Sequence, residues 1–140
     1  MSISIALPEP APTRAWERCA ARLTIAAADL LLISTRRRLG LRHRLLRLLA
    51  RTATRPASPA DTARAHRAIT AVSPRCASGH GCLPRSLAVV LWCRATGHHA
   101  TWILGAATGP LAAHAWVEAA GQPVANPVNP HLLYTSTLTI

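Results

Sequence analysis

The stretch Gly79-His-Gly-Cys-Leu-Pro-Arg-Ser86 decides the fold, because it marks the point where a glycine-rich loop enters a helix. The helix is predicted over about residues 83–96, with Pro84 in its first turn, where a missing N–H does no harm. Unpaired N–H groups at a helix start favour a thiolate and can bind an oxyanion, so Cys82 is a candidate nucleophile. Gly79 and Gly81 would let a substrate approach the backbone. A lone cysteine is nevertheless more often a small buried hydrophobe.

A second motif, Ala112-Ala-His-Ala-Trp-Val-Glu118, alternates in the manner of a strand and places His114 on one of its faces. A hairpin turn after this strand would bring residue 126 or 127 opposite His114, with Cβ atoms about 5 Å apart. Asn126 is then within reach of the imidazole and could orient it, as the third member of a nucleophile–base–orienter site. Two other side chains remain as poorer orienters, Asn129 and Glu118.

The charge of the chain is strongly positive and unevenly spread. All sixteen basic side chains are arginines, the formal net charge is +11, and eight of the arginines lie between Arg36 and Arg55. Such a field would attract an acidic peptide, an acidic protein, nucleic acid or an anionic membrane surface. The alternative is a solvated basic face that keeps an apolar protein soluble.

The four cysteines at positions 19, 76, 82 and 93 show no disulfide-framework spacing, and no secretory signal pattern precedes them. We therefore expect reduced cysteines in a cytoplasmic protein. The most apolar stretch, residues 23–33, contains Asp29 and is shorter than the roughly 20 residues that span a bilayer. A transmembrane protein is not expected.

The order of elements predicts one α+β domain in which helices come first and a helix then feeds a small antiparallel sheet. Thr13 is the expected N-cap of the first helix, Gly40 is expected to end it, and residues 55–60 read as a linker. In the second helix we expect the apolar face to pack against the domain; it consists of Leu41, Leu45, Leu48 and Leu49. Helices are predicted over residues 13–35, 41–53, 60–71 and 83–96, and β segments over 99–105, 112–119, 122–126 and 132–140.

The two motifs together resemble the lasso-peptide B proteins, and more narrowly their stand-alone leader-peptidase half, which has a papain-like or transglutaminase-like fold. The likeness covers about residues 60–130 and includes the Cys82-Leu-Pro-Arg-Ser run and the Ala113-His-Ala-Trp run. The family's catalytic cysteine maps to Cys82 and its histidine to His114. Its aspartate falls by spacing on Asn126, so the third member departs from the family pattern.

This resemblance implies a cysteine protease that removes the leader from a ribosomally made lasso precursor peptide through an acyl-enzyme on Cys82. It implies no cofactor or metal. The implied partners are the precursor leader, a small leader-recognition protein and an ATP-dependent lasso cyclase, without nucleic acid. In this reading residues 1–12 are an extended lead-in, 13–55 a basic helical region and 56–140 the transglutaminase-like catalytic core.

Three alternatives stay open at this stage. A zinc site could draw on four soft ligands, although their spacing fits no familiar zinc motif: Cys76, His80, Cys82 and Cys93. The arginine content would suit a nucleic-acid-binding or partner-binding module without catalysis, although the chain lacks the aromatic platforms of single-strand binders. An amide-forming transglutaminase would use the same site chemistry as a hydrolase.

Overall fold

The computed structural model describes residues 13–53 and 55–140, so the lead-in predicted for residues 1–12 lies outside the described residues. The predicted α+β class is confirmed, because helices precede a small antiparallel sheet. The helices are α1 (Ala15–Ser34), α2 (Leu39–Thr52), α3 (Pro59–Val72), α4 (Pro74–Ala77) and α5 (Cys82–Ala95). The strands are β1 (Arg55–Pro56), β2 (His98–His99), β3 (Thr101–Thr108), β4 (Leu111–Ala119), β5 (Gln122–Pro123) and β6 (Thr135–Thr139), and a 3-10 turn covers Pro130–Leu132.

The main sheet has the strand order β5-β4-β3-β6, and all its neighbours are antiparallel. The β3–β4 register places Gly105 opposite His114. Helix α5 packs against β4 as well as against α1 and α3. The helix that begins at Cys82 and the strand that carries His114 are therefore direct neighbours.

The core forms around α5, whose consecutive residues Ser86–Val90 are all buried. Leu87 packs in one cluster with Ile69 of α3 and Trp102 of β3, each of them nearly inaccessible to solvent. The Trp102 indole Nε1–H donates to the Ser86 hydroxyl at 2.9 Å, which satisfies both buried polar groups. Because α5 is enclosed on several sides, its first residue has a fixed position relative to the sheet.

The first helix begins one residue later than predicted. Arg14, rather than Thr13, is the N-cap, and its backbone N–H donates to the Glu17 carboxylate at 2.7 Å. That carboxylate also accepts from Arg64 of α3 at 2.5 Å. An acid in the first turn therefore supplies the cap, and the sequence expectation of a threonine hydroxyl cap was wrong.

The second helix differs from the prediction in its start and in its packing. The break between α1 and α2 falls at residues 35–38, where both the hydroxyl and the backbone N–H of Thr35 bond to the Leu31 carbonyl, and Gly40 lies inside α2. Leu46 is the buried residue of α2, whereas three of the four leucines predicted to pack are exposed, namely Leu41, Leu45 and Leu48. Helical periodicity found a leucine face but not the side on which the core lies.

Two segments predicted to be irregular contain regular structure. Strand β1 pairs in parallel with β2, so part of the expected linker at residues 55–60 is held against the strand that follows α5. The segment between the predicted helices at residues 60–71 and 83–96 contains α4, where the Ser73 hydroxyl accepts from the Cys76 N–H at 3.2 Å. Across the described residues, no helix has the length and apolar character needed to cross a membrane.

Candidate active site

Cys82 is the first residue of α5, and Gly81 is the N-cap residue of that helix. A Cβ on Gly81 would lie 1.9 Å from the Arg75 carbonyl oxygen. Glycine is therefore required at position 81 because a side chain would clash with the backbone of residues 75 and 76. The sequence had suggested a different reason, namely access of a substrate to the backbone. The thiol is half-buried, so it is fixed by the helix and still open to solvent on one side.

His114 faces this helix from β4, and its ring lies between Cys82 and Asn126. The Nε2 atom is 3.3 Å from the Asn126 Oδ1 atom. The Asn126 Nδ2 group donates to the Val124 carbonyl at 3.0 Å, which turns Oδ1 toward the ring. Nε2 therefore donates to Asn126, and Nδ1 is left to accept the thiol proton of Cys82.

Asn126 reaches His114 from a loop rather than from a strand. The β4–β5 ladder ends at Pro123, and a further bond joins the Val124 N–H to the Val117 carbonyl at 3.0 Å. Ala125 then has a φ of 55°, in the left-handed region. Asn126 lies beside His114, as the predicted hairpin requires, but the direction from which its side chain reaches the ring depends on this local bend.

The two poorer orienters make other contacts. The Asn129 Oδ1 atom accepts from the His131 N–H at 3.1 Å and caps the 3-10 turn. The Glu118 carboxylate accepts from the Trp116 indole N–H at 3.0 Å and bonds the His131 ring at 2.5 Å. Of the three side chains considered from the sequence, Asn126 is the one hydrogen-bonded to His114.

The electrostatics of the site favour a charged cysteine–histidine pair. Hydrogen-bonding contact with His114 lowers the pKa of Cys82, and the Ala115 backbone and the Arg85 charge act in the same direction against the effect of burial. The contact with Cys82 raises the pKa of His114, and the bond to Asn126 adds to this increase. Both shifts favour the charged form of the group, so at a given pH a larger fraction of Cys82 is thiolate than for a free thiol.

Two aromatic rings pack against His114 and against each other. Its ring stacks on Trp116 with centroids 5.9 Å apart and on Tyr134 with centroids 5.2 Å apart. A Cβ on Gly105 would lie 2.7 Å from the Trp116 ring and 2.9 Å from the Tyr134 Cβ. The absent side chain at position 105 thus makes room for the stack. No sequence motif pointed to Tyr134.

The four ligands of the zinc alternative do not come together. Cys76 and Cys93 are buried at separate places in the core, and His80 is exposed. In residues 13–53 and 55–140, no three side chains of the types His, Cys, Asp and Glu form a cluster able to hold a metal ion. The arrangement present brings together the three candidate catalytic side chains, the Cys82 thiol, the His114 imidazole and the Asn126 amide.

Residues 26–139 match the family model of the transglutaminase-like superfamily. This match covers most of the chain, so the chain belongs to the transglutaminase-like superfamily, whose members are typically cysteine peptidases or transferases. The predicted transglutaminase-like fold is thereby confirmed, while the narrower likeness to lasso-peptide B proteins stays a prediction. The chain has no significant match to a curated protein or a solved structure.

We predict that His114→Ala moves the alkylation of Cys82 by iodoacetamide to higher pH, toward the value of about 8.5 for a free thiol. The reason is that contact with His114 is the largest influence lowering the pKa of Cys82. The rate would be measured against pH by mass spectrometry in a Cys19→Ala background, because Cys19 is exposed. His98→Ala, at the far end of α5, is the matched control. An unchanged profile in His114→Ala would contradict the pairing.

Proposed function

We propose that this protein is a cysteine peptidase that removes the leader from a ribosomally made lasso precursor peptide. The observation that carries the proposal is the Cys82 thiol at a helix start, in contact with a histidine that is itself held by an asparagine. Superfamily membership supports a cysteine peptidase or transferase. The resemblance of the two motifs to the lasso leader peptidases supports the leader peptide as the substrate.

In the proposed reaction, Cys82 and His114 act both in the formation of an acyl-enzyme and in its hydrolysis. The Cys82 thiolate attacks the scissile carbonyl, and N–H groups at the start of α5 stabilise the oxyanion. The C–N bond breaks as the His114 imidazolium gives its proton to the leaving amine, which leaves a thioester on Cys82. His114 then takes a proton from water, the hydroxide attacks the thioester, and the thiolate is released with the new carboxylate.

Asn126 has a different task from the two reacting residues. By accepting from Nε2–H it keeps Nδ1 directed at the sulfur, so it fixes both tautomer and ring angle. The bond to the neutral amide raises the pKa of His114, but it stabilises the imidazolium less than the family's negatively charged aspartate would. The contact between Cys82 and His114 therefore supplies the main stabilisation of the charged ring here.

We further propose that the protein works in the cytoplasm with the precursor leader, a small leader-recognition protein and an ATP-dependent lasso cyclase. Free cysteines at all four positions are compatible with a reducing compartment. Within the described residues the ion pairs are Arg64–Glu17, Arg75–Asp29 and His131–Glu118, and none of them involves α2. The unneutralised arginines of α2 would suit an acidic protein partner: Arg44, Arg47 and Arg51. The division into a basic region up to residue 55 and a catalytic core beyond it remains part of this proposal.

Loss of either reacting residue should stop leader cleavage while the fold remains. We predict no cleavage by Cys82→Ala and a loss of about 10²–10⁴-fold in His114→Ala, the usual contribution of a general acid–base. Cleavage of a precursor peptide would be followed by mass spectrometry, which also separates a hydrolysed product from an amide-linked one. Cys19→Ala is the control and should keep activity. Wild-type leader release by Cys82→Ala would refute the proposal.

Substitution of the orienting residue should have a graded effect. We predict that Asn126→Ala lowers kcat for leader cleavage, but by less than His114→Ala, because nucleophile and base both remain. Asn126→Asp should be tolerated, since a carboxylate also accepts from Nε2–H. Asn129→Ala is the control and should have little effect on cleavage, because its side chain caps the 3-10 turn. Full activity in Asn126→Ala together with loss of activity in Asn129→Ala would show that Asn129, and not Asn126, orients His114.

A further inference from the structure

We propose that Arg85 is a positioning residue for Cys82. Its side chain holds the segment that precedes the nucleophile in place and puts a fixed positive charge beside the nucleophile. The proposal rests on the proposed function only in taking Cys82 as the nucleophile. Arg85 lies on α5 three residues after Cys82, so the two side chains belong to adjacent turns of one helix face. The sequence motif contained this arginine, but nothing in its spacing distinguished it from a solvated cation.

The guanidinium bonds to the backbone of the segment before the helix. Its Nη1 atom donates to the Cys76 carbonyl at 2.7 Å and to the Ser78 carbonyl at 3.3 Å. These carbonyls lie at the end of α4 and in the loop that follows it, where they are not paired within a continuing helix. One side chain thus joins α5 to the segment that delivers the nucleophile.

The segment held in this way is compact and stiff. The Ser78 carbonyl also accepts from the Gly81 N–H at 3.1 Å, and the Ser78 hydroxyl donates to the Arg75 carbonyl at 2.8 Å. Gly81 packs so closely on residues 75 and 76 that no Cβ fits there. A displacement of Ser78 would therefore move Gly81 and, with it, the Cys82 N–H that faces a developing oxyanion.

The charge of Arg85 acts on both members of the reacting pair. It lowers the pKa of Cys82 and also that of His114. His66 of α3 lines the same small cavity as Arg85 and Asn126, and burial, with Arg85 adding to it, lowers the pKa of His66 to about 4. His66 is consequently neutral at pH 7, and Arg85 is the permanent cation on this side of the site.

These directions give the proposal a distinctive signature. Removal of the Arg85 charge should raise the pKa of Cys82 and the pKa of His114 together. A variant that merely loosened the site would break the contact between thiol and imidazole, and would therefore raise the pKa of Cys82 while lowering that of His114. The two explanations predict opposite movements of the histidine.

The test compares Arg85→Met and Arg85→Lys in the Cys19→Ala background. The alkylation rate of Cys82 by iodoacetamide would be measured against pH, and the His114 ring would be titrated by NMR. In Arg85→Met we expect both midpoints to move to higher pH, with a several-fold slower alkylation at pH 6. Arg85→Lys keeps the charge, but its ammonium lies one bond closer to the backbone than Nη1, the atom that donates to both carbonyls. Its midpoints should therefore stay near wild type while amide hydrogen exchange at residues 78–82 becomes faster. Arg22→Met, an exposed arginine of α1, is the matched control.

Unchanged midpoints in Arg85→Met, or a His114 midpoint that moves to lower pH, would overturn the role of the charge. Unchanged hydrogen exchange in Arg85→Lys would overturn the role of the carbonyl contacts. If Arg85→Met does not fold, Arg85→Lys still tests the proposal, because lysine keeps the positive charge. Alkylation of Cys82 as slow as in His114→Ala would then contradict the proposal. None of these measurements requires a peptide substrate, so failure of the leader-peptidase function and failure of this proposal are distinguishable.

Discussion

The contact between the Cys82 thiol and the His114 ring is the interaction on which the candidate site depends, because it joins a helix start to the middle of a strand. Neither element could supply the chemistry by itself. The helix contributes free N–H groups and a position fixed by its buried middle turns, while the strand contributes an imidazole at a set height above the sheet. Each partner shifts the pKa of the other toward the charged form.

Two glycines make that contact possible, because no side chain would fit at either position. Gly81 allows the loop to fold back against residues 75 and 76 before the helix begins, and Gly105 gives room for the Trp116 and Tyr134 rings that pack against His114. The first constraint acts on Cys82 and the second on His114. Close packing at both glycines explains how a small domain with few aromatic residues holds the Cys82 and His114 side chains in fixed positions.

The sequence predicted that Cys82, His114 and Asn126 lie together, and the structure brings them together because their placement follows local rules. A glycine-rich loop before a helix indicates the position of Cys82, and strand alternation with a short hairpin brings Asn126 near His114. It did not find Tyr134 or the carbonyl contacts of Arg85, since these depend on how distant segments meet. It also misjudged Gly40 and the leucine face of α2, because periodicity identifies a face but not the neighbour that covers it. The role of Gly81 became clear only from its distance to the Arg75 carbonyl.

The most direct test of the central claim is the protonation state of His114 in the intact protein. With histidine labelled with ¹⁵N, the Nδ1 and Nε2 resonances would be followed against pH in wild type and in Cys82→Ser. The account predicts that wild-type His114 stays doubly protonated to higher pH than a free histidine, whose pKa is about 6.5. It also predicts that the midpoint falls in Cys82→Ser, because the contact with the thiol is the largest influence raising it. A His114 midpoint that is the same in both proteins would contradict the account.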